Sequence, residues 1–437
     1  MRDPICAPAT ALLPSAVAIV RISGPELGET LAPLLALPRP RRAALRQLRW
    51  DGFDEKALVL SFPGPASYTG EDVVELQVHG NPLLVRRLLG HLHALGIRLA
   101  EPGEFTRRAL LNGKQGLMEA EALRDLIAAQ TDQQLRQAQA RAGALPTWID
   151  AAKARLAPWM ARAEAAVDYG EDEGIGLSLL GLKADLKGLL REFHVELRRS
   201  EAARWLQGGI RIALAGRPNA GKSTLFNALA GEDRALVTEV PGTTRDVLEV
   251  TCEWRGLPLR LFDTAGLRRT EDRVEALGVA RVHPVLAQAD LILHLVPAQD
   301  TEPDPDVLRA LAPFEGRVLG VRTQVDQVAG FAPESGAVAI SAVTEDLDAL
   351  EQALKARFLE GQAPEALLGA LATARQRELL GELVDQVELL LALPDPCPAE
   401  LPASLLQGAW GLLARLTGED RAESALDQVF SGFCLGK

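Results

Sequence analysis

The sequence predicts three architectures in one chain: an α+β domain at the amino terminus, an all-α helical bundle, and an α/β domain inserted into that bundle. Three changes of texture carry this reading. Strand-like and helix-like runs alternate over residues 1–114. From 115 the chain turns to Ala, Leu, Gln and Glu in helical stripes that break off at 207 and resume over 361–437. Between 208 and 360, apolar strands alternate with helical stretches, the pattern of a doubly wound parallel sheet. A length of 437 residues suits about three domains at roughly 150 residues each.

Each element follows from local chemistry. AVAIVRIS (16–23), KALVLSF (56–62) and DVVELQVHG (72–80) are β-branched and partly alternating, hence strands. Asn81-Pro82 then opens a helix through Leu95 that Gly96 closes, the expected cap, first-turn and stop residues. In the second segment Trp148, Ala152, Leu156, Trp159 and Ala163 share one helix face, and Leu179, Leu182, Leu186, Leu189, Phe193 and Leu197 form another. The acidic DYGEDEG (168–174) between them reads as a solvated turn. Strands IRIALAG (210–216), LPLRLFD (257–263), DLILHLV (290–296), RVLGVR (317–322) and AVAIS (337–341) build the inserted sheet. Stripes at Leu380, Val384, Val387 and Leu391, and at Leu405, Ala409, Leu412 and Leu416, complete the bundle.

Composition sets outer limits. With 47% apolar residues the chain can bury real cores. A net charge of -12 argues against a surface that coats nucleic acid. The first 115 residues, with 14 basic and 11 acidic side chains, are net +3. Cys6, Cys252, Cys397 and Cys434 are widely spaced without a CxxC pair or a secretory leader, which fits a reducing cytosol. No apolar run approaches the ~20 residues that span a bilayer.

The chemistry is concentrated in the inserted domain. GRPNAGKST (216–224) matches G-x-x-x-x-G-K-[ST] directly after a strand and before a helix. Gly216 and Gly221 let backbone amides cradle phosphate oxygens, Lys222 reaches the β- and γ-phosphates, and Ser223 offers a magnesium ligand. DTAG (263–266) supplies Asp263 for magnesium and the Gly266 amide for the γ-phosphate, and GTTRD (242–246) between them offers a further threonine. In this order the three motifs describe a switch GTPase of the Ras-like P-loop class. A glutamine that orients the attacking water is replaced by Leu267, so polar help must come from Glu275, Arg245, Arg268 or a bound cation.

TGEDVVELQVHG (69–80), EPGEFTRRALLNGK (101–114), GRPNAGKSTLFNALAG (216–231), VPGTTRD (240–246), DTAGLR (263–268) and the terminal FCLGK (433–437) together resemble the MnmE (TrmE) family of tRNA-modification GTPases. The resemblance runs from end to end, with C-x-G-K its most specific element. It implies an N-terminal folate-binding domain that dimerises, a helical domain, and an inserted GTPase domain. It further implies GTP contacts from Asn219, Ala220, Gly221, Lys222, Ser223 and Thr224, and from Thr238, Glu239, Val240, Pro241, Gly242, Thr243 and Thr244. Asp263, Thr264, Ala265 and Gly266 follow, with Thr323, Asp326, Ser341 and Ala342 around the base. Magnesium would fall to Ser223 and Thr244, and potassium to Asn219, Thr238, Val240 and Thr243.

Also implied are Glu275 as the water-activating carboxylate, with Arg245 beside it, and Arg21, Glu75, Lys114 and Lys437 as contacts to a 5-formyl- or 5,10-methylene-tetrahydrofolate. Taken alone, Glu75 on an alternating strand reads more simply as an exposed charge. In the family the thiol matching Cys434 sits near the modification centre; a buried, inert cysteine is the alternative, and C-L-G-K is a poor lipidation box. The expected activity is potassium-dependent GTP hydrolysis coupled to aminomethyl or carboxymethylaminomethyl addition at C5 of the wobble uridine of certain tRNAs. The partner would be a flavin-dependent MnmG-type subunit, the tRNA contacts mainly the partner's, and the setting cytoplasmic. A pure switch GTPase, such as a ribosome-assembly factor, explains 208–360 but leaves 1–114 and C-L-G-K without a role.

Two stretches depart from the family. Leu12–Ala16 stands where a Gly-Arg-Gly-Gly run is expected. The guanine-reading Asn-Lys-x-Asp is Thr323-Gln324-Val325-Asp326. Asp326 keeps the carboxylate, whereas Thr323 lacks the amide that would brace the loop. The expectation is base affinity about ten-fold weaker, one lost hydrogen bond being worth on the order of 1 kcal/mol.

Overall fold

The computed structural model describes residues 3–142, 146–169, 179–231, 249–262, 283–332, 334, 336–420, 423–430, 432, 433 and 436. They fall into two compact units, Met1–Arg124 with Thr417–Lys437, and Asp125–Leu416.

In the first unit β1 (Ile5–Pro8), β2 (Ser15–Gly24), β3 (Ala44–Trp50), β4 (Phe53–Phe62), β5 (Asp72–Gly80) and β6 (Arg98–Leu99) form one sheet in the order β3-β4-β5-β2-β1-β6. Its neighbours run antiparallel except β1 and β6. The β2–β5 register sets Arg21 opposite Glu75. Besides the short α1 (Leu27–Thr30), α2 (Pro82–Ala94) starts at Asn81, whose side chain accepts from the Leu83 and Leu84 amides at 2.8 and 3.2 Å. Its Val85, Leu88 and Leu92 join Val20, Ile22, Val74 and Leu76 in one core.

Strand β3 escaped the sequence reading because it is an edge strand: only Leu48 and Trp50 of its seven residues are buried, too few to show alternation. A second difference concerns the carboxyl terminus. Texture grouped 361–437 as one helical return, yet Thr417–Lys437 packs within the first unit. Leu426, Val429, Phe430 and Phe433 need an apolar partner and find Leu110, Leu117 and Ala120, from α3 (Glu104–Leu111) and α4 (Leu117–Ala128). Gly103 (φ 71°) allows the approach, since a Cβ there would stand 3.0 Å from the Phe430 carbonyl oxygen.

The second unit holds α5 (Asp132–Ala142), α6 (Thr147–Tyr169) and α7 (Leu179–Gly208) before the inserted sheet. As the stripes predict, Ala152, Leu156, Trp159 and Ala163 are buried, as are Leu182, Leu186, Leu189 and Phe193. Strands β7 (Ile210–Ala215), β8 (Glu249–Trp254), β9 (Leu257–Phe262), β10 (Leu291–Pro297), β11 (Val318–Thr323) and β12 (Val338–Ala339) lie in the order β12-β11-β10-β7-β9-β8. The sheet is parallel except for β8, which the sequence reading missed and which pairs antiparallel with β9. Arg255 (φ 50°) and Gly256 (φ 77°) make the two-residue hairpin turn with both centres left-handed. α8 (Lys222–Ala230), α9 (Pro305–Leu311) and α10 (Asp348–Phe358) flank the sheet, and α11 (Ala374–Ala392) and α12 (Glu400–Thr417) follow. Among the described residues, no helix is long and apolar enough to cross a membrane.

Candidate functional site

The phosphate loop is built by backbone constraint. β7 ends at Ala215, and Leu225 and Leu229 of α8 are fully buried, so strand and helix hold the loop between them at both ends. Gly216 (φ 155°) lies against β10, where a Cβ would meet the Leu295 carbonyl oxygen at 2.5 Å. Asn219 (φ 63°) and Gly221 (φ 86°) both turn left-handed. Gly221 provides no side-chain cap to α8, which leaves the first-turn amides to an anion. Lys222 Nζ donates to the Gly216 and Arg217 carbonyls at 2.8 and 2.6 Å, which keeps the ammonium over the loop. Ser223 and Thr224 are exposed in the first turn, while Ala220 is buried.

The base loop is joined to this one by hydrogen bonds. Thr323 Oγ1 donates to the Ala220 carbonyl at 2.9 Å, and Gln324 Nε2 to the Asn219 carbonyl at 3.2 Å. The brace expected to be missing is therefore present, made by a hydroxyl and a different amide. Ser341 Oγ donates to Asp326 Oδ1 at 2.7 Å and accepts from the Thr344 amide at 3.3 Å. Arg217 pairs with Asp300 at 2.5 Å, and Arg322 donates to the Asp300 carbonyl at 2.7 Å. The sequence reading did not include these two arginines.

A second set of residues gathers in the first unit. Arg21 Nε donates to Glu75 Oε1 at 3.0 Å and Arg21 Nη1 to the Gly436 carbonyl at 3.3 Å. The pair is half-buried, so Glu75 is no isolated surface charge. The guanidinium lies 5.5 Å from the Tyr68 ring centroid and 6.0 Å from that of Phe105. Lys114 is exposed, its stem beside Gly70, where a Cβ would come 3.3 Å from Lys114 Cγ.

Next to them runs a charge network that no reading of single motifs disclosed. Arg108 donates to Glu71 at 2.9 Å and to Glu104 at 2.8 Å; Arg98 binds Glu104 with two nitrogens at 2.8 and 2.6 Å. Ser23 Oγ donates to Glu71 at 3.0 Å. Burial alone would raise the Glu104 carboxyl, but donation from Arg98, the Glu101 amide and Arg108 holds it at about 2. Glu71 in TGED and Glu104 in EPGE were the available signal: acids in a net-basic domain. Burial pushes the Cys6 and Cys252 thiols up to about 12, so neither is poised to react.

Glu275, Arg245, Arg268, Cys434 and Lys437 lie outside the described residues, as do Thr238, Glu239, Val240, Pro241, Gly242, Thr243, Thr244, Asp263, Thr264, Ala265 and Gly266.

Comparison with known proteins adds to this geometry. Residues 4–114 match the family described as GTP-binding protein TrmE N-terminus, and residues 117–434 match the MnmE helical domain. The tRNA modification GTPase MnmE of Methylorubrum populi is 44% identical over 453 residues, covering 100% of this chain and 98% of its own. That of Thermus thermophilus is 40% identical over 446 residues, covering 100% of both. The chain belongs to the MnmE family of tRNA modification GTPases. Its MnmE-type architecture is an α+β N-terminal domain, a helical domain and an α/β P-loop GTPase domain. Among solved structures, the G domain of the Thermotoga maritima iron transporter FeoB matches 35% of this chain and 98% of its own, at 27% identity and a TM-score of 0.26.

Proposed function

We propose that this chain is a potassium-dependent GTPase that, with a flavin-dependent MnmG-type subunit, modifies C5 of the wobble uridine of certain tRNAs. A folate one-carbon unit would supply the carbon for aminomethyl or carboxymethylaminomethyl addition. The observation that carries the reading is the bond from Arg21 to the Gly436 carbonyl. It joins the first of the folate-contact residues to the terminal C-x-G-K, in which Lys437 follows Gly436 and Cys434 stands two residues before it. A switch GTPase with no modification chemistry gives that junction no purpose.

In this reading Arg21, Glu75, Lys114 and Lys437 contact the folate, and the cations among them suit its polyanionic tail. Ser223 and Thr244 hold magnesium, and Asn219, Thr238, Val240 and Thr243 hold potassium. Ser223 is exposed in the first turn of α8 and Asn219 sits left-handed and exposed on the phosphate loop, hydroxyl and amide oxygens that suit hard cations. Bound there, the cations offset charge that develops on the phosphoryl oxygens. Glu275 orients the attacking water, the task Leu267 cannot perform, and Arg245 assists. The segment organisation is 1–114, 115–207, 208–360 and 361–437, the protein is a cytoplasmic homodimer through its N-terminal domain, and tRNA is met mainly through the partner.

The test is mass spectrometry of wobble uridines from a strain lacking this protein. Unmodified C5 positions, restored by the wild-type chain but not by Arg21→Ala, are expected. Normal modification without the protein would overturn the proposal.

A further inference from the structure

The first turn of α5 is held from outside the helix as well as from within. Thr131 and Gln134 close the helix start on themselves: Thr131 Oγ1 accepts from the Gln134 amide at 3.2 Å, and Gln134 Oε1 accepts from the Thr131 amide at 3.1 Å. This box does not reach the Gln133 amide, and Glu253 Oε2 of β8 accepts from it at 2.7 Å. Gln134 Nε2 donates to the Gln207 carbonyl at 2.8 Å, and Gln133 Nε2 to the Pro364 carbonyl at 3.5 Å. Residues 207 and 364 lie where the chain enters and leaves the inserted sheet. Entry, exit and the β8–β9 hairpin therefore converge on two adjacent glutamines.

The hairpin is fixed at its own end by packing. Trp254 and Leu257 share an apolar core with Ala203 and Leu206 of α7 and with Leu367 and Ala370. Arg255 donates to Asp348 and Glu351 of α10 at 2.6 and 2.5 Å, and a Cβ on Gly256 would lie 3.5 Å from Pro364 Cγ. The face that α5 buries is of another kind: Gln133, Gln137 and Arg141, one turn apart, with Ala138. Hydrogen bonds of about 1 kcal/mol each can be made and broken within the range over which a ligand shifts an equilibrium, whereas an apolar core must move whole. In sequence, β8 begins shortly after GTTRD (242–246), and β9 ends at Phe262, next to DTAG (263–266). The strand pair that carries Glu253 is thus bordered by both motifs read as meeting the γ-phosphate.

We propose that the first turn of α5 couples the nucleotide to the helical domain: Glu253 holds the Gln133 amide in one nucleotide state of the inserted domain and releases it in the other, while the two glutamine side chains tie the same turn to both chain crossings. The inference rests on the reading of GTTRD and DTAG as γ-phosphate motifs and goes beyond it. It gives the nucleotide state a route into the bundle that does not run along the chain, with Glu253 as a positioning residue remote from the phosphate loop.

The experiment is hydrogen–deuterium exchange of the full chain, saturated with GDP or with a non-hydrolysable GTP analogue in magnesium and potassium buffer, read on peptides covering 130–142 and 249–262. In the wild type the first turn of α5 should exchange at rates about five-fold or more apart in the two states, one hydrogen bond of on the order of 1 kcal/mol being made in only one of them. Glu253→Ala should give one rate in both states. Glu253→Gln keeps an acceptor oxygen and should restore a difference of at least about two-fold. Gln134→Glu keeps the capping oxygen but loses the donor to Gln207, and should shrink the difference while α5 stays protected in both states. By linkage, Glu253→Ala should also change the ratio of GTP-analogue to GDP affinity by about the same five-fold. A wild-type first turn indifferent to nucleotide would overturn the coupling, as would a Glu253→Ala chain that keeps the full difference. If β8 and β9 themselves exchange alike in both states, it is the reading of the two motifs that falls.

Discussion

The two candidate ligand sites are built by opposite means. The phosphate loop is contiguous, Gly216 to Ser223, and shaped by backbone: left-handed residues, a glycine pressed on a neighbouring strand, and an uncapped helix start. The Arg21 site is discontinuous. It draws a guanidinium from β2, a carboxylate from β5, aromatic rings from residues 68 and 105, and a carbonyl from residue 436. A site made of backbone tolerates side-chain drift, as Thr323 and Gln324 illustrate. A site made of side chains depends on the sheet register that sets Arg21 opposite Glu75.

The comparison predicts its largest effect at Gly216. A Cβ there would meet the Leu295 carbonyl oxygen at 2.5 Å, and a backbone oxygen in a central strand cannot give way. Gly216→Val should reduce GTP affinity by more than about 100-fold, roughly 2.8 kcal/mol at 1.4 kcal/mol per decade. Titration with a fluorescent nucleotide checks it. Folate binding by the first unit should be untouched; a parallel loss there would break the independence of the two sites.

Next in size is Arg21→Ala. It leaves Glu75 half-buried without its partner and removes a cation that a folate carboxylate would meet. Affinity for 5-formyl-tetrahydrofolate should fall by about ten- to thirty-fold, about 1.4–2 kcal/mol, with GTP affinity unchanged. Isothermal titration of the full chain separates the two ligands. Unaltered folate affinity would show that the Arg21–Glu75 pair serves only the sheet.

How much of this was legible follows from the same contrast. The phosphate loop could be read because its physics is local: glycines, a lysine and a hydroxyl at fixed spacing between a strand and a helix. The stripes of α6 and α7 could be read because helical period and burial coincide. The hydrogen bonds from Thr323 and Gln324 could not, since they join residues about a hundred positions apart and replace the usual side chains with others of similar reach. Nor could the Glu71–Arg108–Glu104–Arg98 network, whose members look like ordinary surface charges until Arg108 and Glu104 of α3 are brought to Glu71 and to Arg98 of β6. The antiparallel β8, Glu-Val-Thr-Cys-Glu-Trp, lacked an apolar run.

That network gives a smaller, pH-dependent effect confined to the first unit. Glu104 is depressed in the folded protein to about 2 from an ordinary 4.5, so it stabilises fully above the ordinary value and less as pH falls through the folded one. At neutral pH the contribution is on the order of 3 kcal/mol, and it is lost between about pH 4.5 and 2. Urea unfolding of the wild type followed by hydrogen exchange of β2 and β5 should lose stability over that interval. In Glu104→Gln the acid-dependent loss should be flatter. A profile with the same slope in both proteins would place the acid sensitivity elsewhere.

The smallest effects come from a device both units share. Asn81-Pro82 and Asp304-Pro305 each begin a helix, and each polar side chain accepts from two first-turn amides, at 2.8 and 3.2 Å for Asn81 and at 2.9 and 3.4 Å for Asp304. Either residue changed to alanine should cost about 1 kcal/mol, the usual worth of such a cap. The consequences should nevertheless differ. α2 runs 13 residues and buries Val85, Leu88 and Leu92, so fraying its start disturbs a core; α9 has seven residues and buries Leu311 alone. Loss of the Asn81 cap should therefore lower the global midpoint of the first unit, whereas loss of the Asp304 cap should appear as faster local amide exchange at 306–308. Charge provides a second contrast, because Asp304 also faces the positive end of its helix. Asp304→Asn keeps the hydrogen bonds and should cost only about 0.3–1 kcal/mol at low salt, less once the field is screened. Measuring both cap variants at two ionic strengths separates bond from charge: a salt-dependent loss at Asn81, which carries no charge, would show that the fields of neighbouring side chains, and not the caps, set these helix starts.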